Sequence, residues 1–120
     1  MTDERSANGE APDESPAEAM DRVARQLKGV ERRPVGKAIE YTRAGVVFAA
    51  REDGRLSFRL REEVVGAALR TLDTGPSARG ADWISLSAVI ADQFALDRAV
   101  AWFESAWRLA GPASERAQPH

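Results

Sequence analysis

The sequence predicts an α+β fold in which an antiparallel sheet is packed by helices as a two-layer sandwich. Three observations predict it. Val46-Val47-Phe48-Ala49-Ala50 is an apolar strand that runs into a turn at Arg51-Glu52-Asp53-Gly54. Arg55-Leu56-Ser57-Phe58-Arg59-Leu60 then alternates polar and apolar residues, the period of a half-buried strand. Arg61-Glu62-Glu63 opens a helix directly afterwards, and a hairpin feeding straight into a helix is an α+β arrangement.

The other elements follow in chain order. Residues 1–14 are acidic and small, with Pro12 and no aromatic residue. They cannot bury enough apolar area to offset ordering, so a disordered tail is expected. Ser15-Pro16-Ala17-Glu18 spells a capping box with proline at the first helical position. Met20, Val23, Ala24 and Leu27 continue at helical spacing and Gly29 can stop the helix, which predicts a helix over 16–28. Residues 35–43 read as a strand, with Ile39 and Tyr41 on one face and Ala38, Glu40 and Thr42 on the other. Ala44-Gly45 can turn the chain into strand 46–50, and Asp53-Gly54 tolerates positive φ and can return it along strand 55–60. Leu56, Phe58 and Leu60 then face the core, while Arg55, Ser57 and Arg59 face away.

A second helix is expected over about 61–71, with Val64, Val65, Ala68, Leu69 and Leu72 as its apolar stripe and Glu62 and Glu63 suiting its dipole. Residues 74–80 form a loop by composition. A fourth strand spans 82–87, with Ile84 and Leu86 opposite Trp83, Ser85 and Ser87; residues 88–92 either extend it or pair separately. The last helix starts between Gln93 and Asp97 and runs to about Ala110. Leu96, Ala99 or Val100, Phe103 and Trp107 set its period, and Gly111-Pro112 stops it. The expected order is α-β-β-β-α-β-(β)-α, with four to five strands in one domain over 15–111 and a loose tail over 112–120.

A chain of 120 residues suits one domain and can bury a core without disulfides or metal. Cysteine is absent, which removes thiol nucleophiles and thiolate zinc sites and fits a cytoplasmic protein. No apolar run approaches the roughly 18 residues that span a membrane. The net charge of −2 conceals an asymmetry: residues 22–61 are strongly basic, flanked by acidic segments. Nearly all the basic residues are arginine, as a high-GC genome would also produce.

Catalytic chemistry has little to stand on. The single histidine, His120, is the last residue, where a general base is poorly held. No carboxylate spacing matches a Ca²⁺ loop, and residues 75–80 match no phosphate-binding loop, although Arg79 there could meet a phosphate. The expectation is that the protein is not an enzyme, with no catalytic residue, cofactor or metal. The sharper features are basic and aromatic. Arg22, Arg25, Arg32 and Arg33 lie on and after the first helix, and Arg55 and Arg59 share a strand face. They read either as solvated faces or as a phosphate-backbone footprint. Trp107 fits the core side of the last helix. Trp102 lies about 140° from it around the helix, and Trp83 is opposite Ile84 and Leu86. Trp83, Trp102 and Trp107 therefore mark either a wide core boundary or an interface or pocket.

Residues 44–50 and Asp53-Gly54-Arg55-Leu56-Ser57-Phe58-Arg59-Leu60 resemble the MmcQ/YjbR-like proteins and the N-terminal domain of TfoX, as do the Gly80-Ala81-Asp82-Trp83-Ile84-Ser85-Leu86 strand and the closing amphipathic helix from Leu96. The resemblance implies a two-layer sandwich over 17–110. It implies little about function beyond a proposed nucleic-acid role for the YjbR type and a part in competence regulation for TfoX. The first expectation is an interaction module, partnered by another protein or by itself as a homodimer through the sheet's open face or edge. The alternative is nucleic-acid binding through residues 22–61. A third is a small-ligand pocket between the sheet and the last helix.

Overall fold

In a computed structural model, described over residues 14–71, 73–87 and 92–112, the capping box opens the first helix, α1 (Pro16–Gln26). Ser15 Oγ accepts from the Glu18 amide at 3.1 Å, and Glu18 Oε1 accepts from the Ser15 amide at 2.8 Å. Ala19, Met20, Val23 and Ala24 form its buried stripe. Leu27 caps the helix, and Gly29, at φ +75°, turns the chain toward the sheet.

The strand expected over 35–43 forms as β2 (Ala38–Arg43), and an unexpected partner, β1 (Val30–Val35), precedes it in a hairpin hinged at Gly36 with φ +61°. Val30-Glu31-Arg32-Arg33-Pro34-Val35 shows no apolar alternation because β1 is an edge strand exposed over most of its length. β3 (Val46–Glu52) and β4 (Arg55–Arg59) follow through the two expected turns. Their central residues take positive φ: Ala44 and Gly45 in one, Asp53 and Gly54 in the other. These turns match the twist of the strands they join.

α2 (Glu62–Ala68) is shorter than the stripe suggested, and Leu72 of that stripe lies outside the described residues. Residues 74–80 are not the expected loop. They pair as β5 (Thr74–Ser77) and turn into β6 (Gly80–Ser87), so the expected loop is an edge hairpin. Thr74-Gly75-Pro76-Ser77 has the composition of a loop, and backbone pairing to β6 decides its conformation. Residues 88–91, left undecided by the sequence, lie outside the described residues, as do 1–13 and 113–120, so the expected tails are not described. Asp92 caps the last helix, α3 (Gln93–Ala110), its Oδ1 accepting from the Ala95 amide at 2.8 Å.

The fold is thus α+β; the described residues form three helices and a six-stranded antiparallel sheet ordered β1-β2-β3-β4-β6-β5. The core lies on one face of the sheet. Leu56, Phe58, Ile84 and Leu86 meet Met20 and Val23 of α1, Val65 and Ala68 of α2, and Ala99, Phe103 and Ala106 of α3. A bulge between β2 and β3 passes from Tyr41↔Ala49 to Thr42↔Val47 and leaves Phe48 as the extra residue. Phe48 turns to the core face, where the Phe103 ring stands edge-on to Phe48 and to Tyr41, at 5.1 Å in each case. Leu56, Phe58 and Leu60 are buried as expected.

Candidate functional site

No helix among the described residues packs on the second face of the sheet, and its residues follow from the register. One row crosses all six strands: Arg33, Glu40, Ala50, Ser57, Ser85 and Gly75. Glu52, Arg55 and Ser87 form the next row, and Arg59 pairs with Trp83. Ser57 and Ser85 are each only 3% exposed, and Trp83 is 8% exposed.

Part of the cover comes from the β5–β6 turn. A break in pairing between Pro76 and Ser77 curls the end of β5, and Arg79 reaches from the turn to two carboxylates. Its Nε donates to Glu52 Oε2 at 2.9 Å, Nη2 to Glu52 Oε1 at 3.2 Å, and Nη1 to Glu40 Oε2 at 3.1 Å. The same guanidinium lies 5.4 Å from the centre of the Trp83 ring. The two-toothed contact with Glu52, followed by the charges of Glu52 and Glu40, pushes the Arg79 pKa above its ordinary value, so the strap is permanently cationic. The sequence placed Arg79 in a loop where it could meet a phosphate; which carboxylates it meets depends on strand register, which the segment does not encode.

The six arginines of the sequence prediction do not converge. Arg33, Arg55 and Arg59 lie on the second face. Arg59 Nε donates to Asp82 Oδ2 at 2.7 Å, and Arg33 Nη2 lies 3.6 Å from Glu40 Oε1. Arg55 donates from Nε to Ser85 Oγ and from Nη2 to the Ser85 carbonyl at 3.3 Å. Arg22 and Arg25 belong to α1, and Arg32 reaches it from β1. Arg22 forms a two-toothed pair with Glu14 at 2.8 and 3.0 Å. Arg25 is exposed and lines a hollow of about 340 Å³ with Glu14, Glu18 and Asp21.

Asp21 is the hub of the helix side. Its Oδ1 accepts from Tyr41 Oη at 2.6 Å and Arg32 Nε at 3.0 Å, and its Oδ2 accepts from Arg51 Nη1 at 3.0 Å. Burial alone would raise the Asp21 pKa, but the Tyr41 hydroxyl and the two guanidinium groups outweigh it and hold it below the ordinary value.

The tryptophans also separate. Trp83 is buried on the second face. Trp102 meets Phe58 at 6.0 Å on the core face. Trp107 is partly buried at the end of α3, where its Nε1 donates to the Lys28 carbonyl at 2.8 Å. Arg43, which the sequence did not single out, is buried beside it. Its guanidinium lies 4.0 Å above the Trp107 ring and donates to the Trp107 carbonyl at 2.9 Å. Between the sheet and α3, Phe103 packs edge-on against Tyr41 and Phe48, and Trp102 against Phe58.

Among the described residues no three His, Cys, Asp or Glu side chains are grouped to hold a metal ion, and no helix is long and apolar enough to cross a membrane. No family model matches the chain, and no curated protein or solved structure shows significant similarity to it.

Proposed function

We propose that the chain is a non-enzymatic interaction module of the YjbR-like type that pairs with a second copy of itself through the sheet face opposite the helices. The observation that carries this reading is the interleaving of signs on that face. Arg33, Arg55, Arg59 and Arg79 alternate with Glu40 and Glu52 on the sheet, and the Asp82 carboxylate reaches Arg59. A two-fold contact sets the same patch against itself, so a surface carrying both signs can oppose arginine to carboxylate in both directions. The sheet edges are poorer routes. Pro34 in β1 and Pro76 in β5 lack the N–H that a neighbouring strand would need.

Sedimentation velocity over micromolar concentrations tests the proposal. A monomer–dimer equilibrium that weakens with salt and is lost in Arg59→Glu is expected. A monomer at every concentration overturns it. Nucleic-acid binding through residues 22–61 has weaker support, since Glu14, Asp21, Glu40 and Asp82 neutralise Arg22, Arg32, Arg33 and Arg59. A mobility-shift assay at low salt separates the two readings.

A further inference from the structure

The second face contains a cleft of about 300 Å³ between the β3–β4 hairpin and the β5–β6 turn. Ser57 and Ser85 line it from the sheet, Pro76, Ser77 and Ala78 form one wall, and Glu52, Asp53 and Arg55 form the other. We infer that this cleft binds a small zwitterion of the α-amino-acid class.

The charges argue for that class. Arg33, Arg59 and Arg79 on this face each meet a carboxylate, and Glu52 is matched by Arg79. Arg55 and Asp53 are different. Arg55 spends its hydrogen bonds on Ser85, a neutral partner, and among the described residues neither Arg55 nor Asp53 forms an ion pair. The cleft therefore presents one positive and one negative group that do not neutralise each other. A ligand with a carboxylate and an ammonium a few bonds apart satisfies both, whereas a simple anion or cation leaves one charge opposed.

The hydroxyls in the row beyond Arg55 also favour a carboxylate on the arginine side. Ser85 Oγ accepts from Arg55, so its own proton remains available to donate. Ser57 Oγ and Ser77 Oγ lie 3.3 Å apart, and Ser77 Oγ also accepts from the Arg79 amide at 3.2 Å. That pair holds two protons and shares one, leaving a second donor for the ligand. Ser57 and Ser85 are nearly fully buried, so both hydroxyls are positioned by the sheet.

Titration of the full-length chain with glycine and L-serine, followed by amide chemical shifts, tests the site. Acetate, ethylamine and inorganic phosphate serve as single-charge probes. Saturable shifts centred on Ser57, Gly75 and Ser85 are expected with the amino acids, at least about tenfold weaker with each single-charge probe. Arg55→Gln and Asp53→Asn, both at exposed positions, should each abolish the amino-acid response while leaving the rest of the spectrum intact. Absence of saturable shifts with the amino acids overturns the inference, as does acetate or phosphate binding as tightly as glycine. The cleft does not require self-association. Sedimentation of the same samples separates the two: a dimer that shows no saturable shifts with the amino acids overturns the cleft alone, and a monomer that shows them overturns the dimer alone.

Discussion

Tyr41 donates its hydroxyl to Asp21 Oδ1 across 2.6 Å, joining the second strand to the first helix. Burial, then the hydrogen bond to Asp21 and its negative charge, push the Tyr41 pKa up to about 12. An unfolded tyrosine titrates near 10. The raised folded value favours the neutral phenol, so its contribution to stability is fully present below about pH 10 and is lost as pH rises toward 12. The chain has one tyrosine, so tyrosinate absorbance reads this group alone. The folded protein should ionise about two units later than the protein in urea; coincident titrations would contradict the geometry.

Acid should act through the carboxylates. Asp21, Asp82 and Glu14 are all held below their ordinary values. For Asp82 the hydrogen bond from Arg59 is the main cause, and for Glu14 the one from Arg22. A lowered folded value gives stability that is present above the unfolded pKa, near 4, and lost as pH falls through the folded one. Urea midpoints should therefore fall below about pH 4, and Asp21→Asn should flatten that fall while lowering neutral-pH stability by about 1 kcal/mol.

Removal of the Arg79 strap should be costly in spite of its turn position. Arg79→Ala leaves Glu40 and Glu52 without their principal donor on a partly buried face. A loss of about 1–3 kcal/mol in urea denaturation is expected, with Arg79→Lys recovering only part because it cannot grip Glu52 with two donors. An unchanged midpoint in Arg79→Ala would mean the strap is ornamental.

Gly80 provides a separate test of the same turn. Its φ is +154°, and a Cβ there would stand 3.3 Å from Trp83 Cδ1 and 3.3 Å from Asp82 Oδ1. Gly80→Ala should destabilise by more than about 1 kcal/mol in thermal melts, because strain and crowding act together.

The legible parts of the fold were those with local signals. The Ser15–Glu18 capping box, the Asp53-Gly54 turn and the alternation of residues 55–60 each depend on neighbours in sequence, and each formed. β1 and β5 were missed because edge strands bury little, so neither shows apolar periodicity; Gly36 was the one local clue. The outward direction of Arg55, Ser57 and Arg59 was readable from the two-residue period. Their partners were not, because Ser85, Asp82 and the Arg79 strap arrive from β6 and its hairpin through register alone.

The clasp at Trp107 bears on how the molecule opens. Helix ends ordinarily fray, and local opening begins where few tertiary bonds hold. Here the ring of Trp107 is tied to the Lys28 carbonyl just past α1, and its backbone to Arg43 at the end of β2. The last turn of α3 cannot peel away without releasing both. In hydrogen exchange its amides should keep pace with those of α1, so that the two ends of the sandwich open together as a single unit.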